Sequence, residues 1–227
     1  KNLDENVNSE VRAIAFNCLE NFGNYPIEKF KDTLKTINQE SKFQLSKLGI
    51  RIGAKYFFTP NLLKKKPLEF CAILWKTFYQ KEIEIDDFLP LPLNGRVSFF
   101  SEIKMPNSYW QSIGYINIKN FVFRIDIFEK IFFLARQKLK KGPFLESSDL
   151  MNPLGCTSDQ LKDIMIFCGY EYLTISDQKK IFFQSNKNKE TKKNIKKNLN
   201  KKISKIKNKD KIKRDPNSPF AVLEKLL

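Results

Sequence analysis

The chain has 227 residues, with 41 Lys and Arg against 25 Asp and Glu, no His, four Cys and a net charge of +16. The length suits one or two domains, and a 41% apolar content can fill a core, which excludes a chain disordered throughout. The missing His excludes His-based acid–base catalysis, catalytic triads and His-containing metal sites.

Residues 9–21 predict a helix, with Val11, Ile14, Ala15, Cys18 and Leu19 as its apolar stripe and Asn8 or Ser9 as its cap. Pro26 suits the first turn of a second helix, 26–38, with Ile27, Phe30, Leu34 and Ile37 on one face. A third helix, 39–48, stops at Gly49. Residues 50–58 are strand-like, and Gly53 marks a bend or a close backbone approach before Pro60 ends the segment. Pro67 opens a helix to about Gln80 that is apolar nearly all round, so burial is expected. Across 84–98, Pro90 and Pro92 exclude a regular element and Asn94-Gly95 marks a turn.

The second half echoes itself. Residues 106–139 read as a short helix, Gly114-Tyr115, a hairpin with a Lys-Asn turn, and a helix. Residues 146–184 repeat the order with Gly169-Tyr170 and a second hairpin. There Ser147 or Ser148 caps a short helix, Gly155 lies in the turn, and Thr157 or Ser158 caps a helix over 159–168. Helix, glycine turn, helix, hairpin is the outline of a winged helix-turn-helix. The 159–168 helix offers Lys162 beside Asp159 and Asp163, poor material for phosphate contact. A docking or structural wing is the preferred reading of that unit.

Residues 185–214 hold 14 basic and two acidic residues, so +12 of the +16 lies in this Lys-rich stretch. Such a run predicts a disordered linker with nucleic acid as its usual partner. Lys192, Lys193, Lys196, Lys197, Lys201 and Lys202 are its candidate binding residues. In 215–227, Ser218 and Pro219 begin a terminal docking helix with Phe220, Leu223 and Leu226 on one side. The expected fold is mainly α with small β-hairpins (α+β). It comprises a helical part (1–83), two hairpin units (84–184), the basic linker (185–214) and the docking helix (215–227).

Chemistry is sparse. No phosphate loop, dinucleotide fingerprint or acidic motor motif is present. No catalytic residue, metal site or cofactor is expected in this chain. Asp86-Asp87 reads as a cap or surface acid. Arg124 and Asp126 are not read as an obvious pair, and Glu129 reads as a capping-box partner of Asp126. Cys18, Cys71, Cys156 and Cys168 form no C-x-x-C pair and are expected to be buried free thiols of a reducing, cytoplasmic compartment. No run of roughly 18 apolar residues predicts a membrane span. The sequence opens at Lys1 rather than Met, so it reads as a fragment or processed product.

Four segments together resemble a known family: LGIRIGAKYFFTPNLLK (48–64), GYINIKNFVFRIDIFEKI (114–131), LGCTSDQLKDIMIFCGY (154–170) and DPNSPFAVLEKLL (215–227). They are similar to the region C-terminal to the motor in alphaproteobacterial helicase-family proteins. Those are DExH-type ATP-dependent helicases similar to the mitochondrial degradosome RNA helicase. The resemblance implies a parent chain that hydrolyses ATP to unwind or translocate on nucleic acid, with its motor lobes upstream. ATP and Mg²⁺ would serve only that motor. This chain would then be the accessory, nucleic-acid-binding region, with single-stranded RNA favoured, DNA open, and the helicase lobes as neighbours. The alternative is a protein-interaction scaffold whose Lys-rich tail is only a spacer. Should the tail be a spacer, the binding surface is expected around Lys162, Lys179 and Lys180.

Overall fold

Short helices alternate with strands of two to four residues in the computed structural model, which describes residues 7–79, 89–93, 95–174 and 179–184. The architecture of the described residues is α+β, with three small antiparallel sheets of three strands each. The described residues belong to one compact unit ending at Gln184.

Helix α1 (Ser9–Glu20) buries Val11, Ile14 and Cys18 but leaves Phe16 and Leu19 exposed, so the apolar stripe stops short of Leu19. Next come β1 (Asn24–Pro26), a 3-10 turn at Ile27–Phe30, α2 (Lys31–Thr36) and α3 (Gln39–Lys47). A hairpin of β2 (Arg51–Ile52) and β3 (Tyr56–Phe58) follows. The expected helix over 26–38 is broken at its start. Pro26 pairs with Tyr56, and the Ile27 N–H donates to the Lys55 carbonyl at 2.8 Å. Sheet pairing thus takes the backbone groups a helix would use. The apolar residues still share one core: Ile27 and Ile37 are buried, and Phe30 and Leu34 pack on the same cluster.

Helix α4 (Lys65–Tyr79) carries Pro67 in its first turn, where a missing N–H costs nothing. It is not buried all round. Leu68, Cys71, Ala72 and Trp75 face the core, while Phe70, Ile73, Leu74 and Phe78 are exposed, because among the described residues only one side of α4 has a layer to pack on. The Pro-rich stretch ends in an unexpected strand, β4 (Ser98–Phe100). Then come α5 (Asn107–Ser112) and the hairpin of β5 (Tyr115–Ile118) and β6 (Phe121–Arg124). Lys119 and Asn120 turn that hairpin with φ of 51° and 67°, the left-handed pair that suits a two-residue turn.

Helix α6 (Ile125–Lys140) starts directly after β6 and leads to β7 (Phe144–Leu145), α7 (Ser148–Met151) and α8 (Ser158–Phe167). The strands β8 (Glu171–Thr174) and β9 (Lys180–Phe183) end the described part. Thr157 caps α8 in a reciprocal capping box with Gln160.

The echo in the second half extends to the whole body. Three consecutive units run helix, short strand, one or two helices, hairpin, and each sheet takes the order first–third–second strand: β1-β3-β2, β4-β6-β5 and β7-β9-β8. Gly49, Gly114 and Gly169 occupy the same place before each hairpin, with φ of 82°, 76° and 87°. The following residue is buried each time: Ile50, Tyr115 and Tyr170. The second residue after each glycine pairs with a Phe of the third strand: Arg51 with Phe58, Ile116 with Phe123, Glu171 with Phe183. One position earlier, Phe57, Val122 and Phe182 are all fully buried.

Three hydrophobic clusters correspond largely to these units. Strand β6 serves two of them, since Val122 enters the second cluster while Phe121 and Phe123 enter the third, as the two-residue period of a strand dictates. The four cysteines are free and buried, as expected; burial pushes the Cys18 and Cys168 thiols up to about 12, which keeps them inert. Among the described residues, no helix is long and apolar enough to cross a membrane.

Candidate nucleic-acid interface

The turn between β2 and β3 is short of backbone partners of its own. Glu129, in the second turn of α6, supplies them. Its carboxylate accepts the N–H groups of Ala54, Lys55 (3.0 Å) and Tyr56 (2.8 Å). Glu129 is 5% exposed. Burial pushes its carboxyl above the usual range, and the amide donors pull in the opposite direction. Gly53 makes the approach possible, because a Cβ there would collide with the Glu129 carboxyl and sit 2.7 Å from the Tyr56 carbonyl oxygen. The close approach expected at Gly53 is therefore present. The capping role expected for Glu129 is not: it bonds a turn more than seventy residues away in sequence.

Arg124 and Asp126 also differ from expectation. They form a two-pronged pair, Nε to Oδ1 at 2.7 Å and Nη2 to Oδ2 at 3.0 Å. Arg124 is the last residue of β6 and Asp126 already lies in α6; residues two apart share a side of an extended chain, so the two side chains meet at this junction.

These two internal arrangements decide the electrostatics of a cleft of about 700 Å³ between the turn and α6. Among the described residues, its only lining acids are Asp126 and Glu129. Asp126 is engaged by Arg124, and Glu129 by backbone amides. Its lining cations, Arg51, Lys130 and Arg136, are exposed and have no carboxylate partner among the described residues. Phe133 and Arg136 follow Glu129 at helical spacing, four and seven residues on, so the face of α6 that locks the turn also presents Arg136, with Lys130 to one side of it. Phe133 lies exposed between them, and Phe58 contributes a half-buried ring. The cleft can hold an anion bearing an apolar or planar part.

The lysines of the third unit are differently placed. Lys180 is 9% exposed and donates to Ser158 Oγ at 2.6 Å, and its Nζ lies 3.2 Å from Asp159. Lys162 pairs with the same Asp159 at 3.3 Å. Of the three lysines named for this surface, Lys179 alone is exposed without a carboxylate partner among the described residues. Two of the three lysines of this surface thus share a single carboxylate, Asp159. Lys192, Lys193, Lys196, Lys197, Lys201 and Lys202 lie outside the described residues, as do Phe220, Leu223 and Leu226.

The cleft residues Arg51, Lys130, Phe133 and Arg136 carry no sequence motif. Gly53 was the single local signal, and it pointed to a close approach without naming the partner. Among the described residues, no group of three or more Cys, Asp or Glu is arranged to hold a metal ion. No family model matches the chain, and comparison with curated proteins and with solved structures found no match.

Proposed function

We propose that this chain is a nucleic-acid-binding accessory region of an ATP-dependent helicase whose motor lies upstream. The observation that carries the binding part is the cleft in which both acids are internally satisfied while Arg51, Lys130 and Arg136 remain uncompensated. Uncompensated cations on a preorganised surface favour a polyanion, and release of its counterions drives the association. The helicase part rests on the four resembling segments, two of which contain Gly53 and Glu129. ATP and Mg²⁺ belong to the motor in this reading, and the chain's task is to hold the strand. The basic stretch 185–214 adds +12 of non-specific attraction.

The element order favours winged-helix units within this proposal. Helix, strand, helix, helix, hairpin, with the sheet ordered first–third–second, describes both the first and third units, and the second differs only in having one helix before its hairpin. A scaffold is the second reading, and the exposed row Phe70, Ile73, Leu74 and Phe78 on α4 favours it.

The test is equilibrium binding of a fluorescent single-stranded oligonucleotide across a salt series. Replacing Arg51, Lys130 and Arg136 together by Ser should lower the slope of log K against log salt by about 2, from roughly 0.7 per phosphate contact. An unchanged slope and affinity would remove the cleft from the binding surface.

A further inference from the structure

A second cleft of about 560 Å³ lies on the other side of the same turn, lined by Ile27, Lys55, Tyr56, Phe132 and Phe167 among others. Ala54 and Arg136 line both clefts. The two spaces therefore meet across the turn that Glu129 holds. Each contains one exposed ring: Phe133 (57% exposed) in the first and Phe167 (41%) in the second. Lys55 stands beside the second ring. Its Nζ is 5.5 Å from the Phe167 ring centre and 5.6 Å from that of Phe132, and it donates to the Phe167 carbonyl at 3.4 Å. In the second cleft, Glu28 is already paired with Lys31 at 2.6 Å.

We propose that a single strand of nucleic acid crosses the Ala54–Lys55 turn, with its backbone on Arg136 and Lys55 and one base stacked on each of Phe133 and Phe167. The proposal rests on the nucleic-acid reading above and names the form of ligand that the site takes. Alternating cations and exposed rings match a flexible strand, whose phosphates and base faces are both free. A duplex hides the base faces and can use only the cations. Stacking on a protein ring is sequence-tolerant, because every base has a π-face. RNA and DNA strands should therefore both bind.

The experiment uses the full chain in fluorescence anisotropy with oligouridylate, oligothymidylate and a duplex of the same length. The variants are Phe133→Leu, Phe167→Leu and the triple cation variant. Leucine keeps the apolar bulk and the fold, verified by thermal melting, but removes the π-face. Each leucine variant should weaken both single strands about 5- to 150-fold, from roughly 1–3 kcal/mol of stacking per base. Duplex affinity and the salt slope should stay unchanged. Equal single-strand affinity in wild type and both leucine variants, with loss only in the triple cation variant, would overturn the threading proposal and leave the binding function standing. Wild-type affinity in the triple cation variant would overturn both.

Discussion

Replacing Glu129 by Ala tests the physical centre of the site. The substitution removes the acceptor for the Ala54, Lys55 and Tyr56 amides in one step. A hydrogen bond to a charged group contributes about 1.5–3 kcal/mol, which sets an upper limit near 9 kcal/mol. Two effects reduce it. The turn is half-buried, so water can reach part of the vacated space. Removing the carboxylate also ends its own desolvation, the effect that pushes its pKa up. A net loss of about 3 kcal/mol remains, close to the cost of breaking a buried charged contact. For a chain of this size it corresponds to a melting temperature lower by about 6–12 °C. Urea unfolding measures the stability, and amide exchange at Ala54, Lys55 and Tyr56 measures the turn itself. Stability within about 1 kcal/mol of wild type, with protection of those three amides unchanged, would refute the lock.

Gly53→Ala should destabilise the chain by about 1–3 kcal/mol through overpacking against Glu129. Gly169→Ala, which meets only open space at φ of 87°, should cost about 1 kcal/mol of backbone strain; thermal melts of the pair check the difference. Because the folded carboxyl of Glu129 is raised, the native state keeps that proton to higher pH than the unfolded chain does. Its contribution is therefore full below the ordinary carboxylate range and is lost as pH rises through the raised value. Wild type should lose stability relative to Glu129→Gln across that window, as read by urea melts at several pH values. Lys162→Ala should leave oligonucleotide affinity unchanged, because Asp159 already holds that ammonium group; a fall in affinity beyond twofold would return the third unit to the binding surface.

The unit order was legible where a glycine stood before a hairpin with strong apolar strands. Gly114 and Gly169 revealed it because Tyr follows each. Gly49 is followed by Ile50, and β1 and β7 have only three and two residues, too few to show a period of two. Those strands exist because β3 and β9 offer them backbone partners, which is tertiary information. The over-burial expected for α4 has a similar origin: apolar content says that a face wants a partner and says nothing of whether one is present. Of the site, Gly53 was legible as a close approach, but Glu129 looked like a local cap because local bonding is the default for an acid near a helix start. Whether a lysine is free also depends on contacts through space, as Lys180 in its contact with Asp159 shows against Arg136, which lacks one among the described residues.

The most direct test of the account is photocrosslinking of a 4-thiouridine oligonucleotide to the full chain, followed by mass-spectrometric mapping of the attached peptides. The account predicts crosslinks in residues 51–58, in 130–136 of α6 and at Phe167, whatever is also captured by the basic stretch 185–214. Crosslinks confined to 185–214, or to the α8–β9 surface around Lys162 and Lys180, would contradict it.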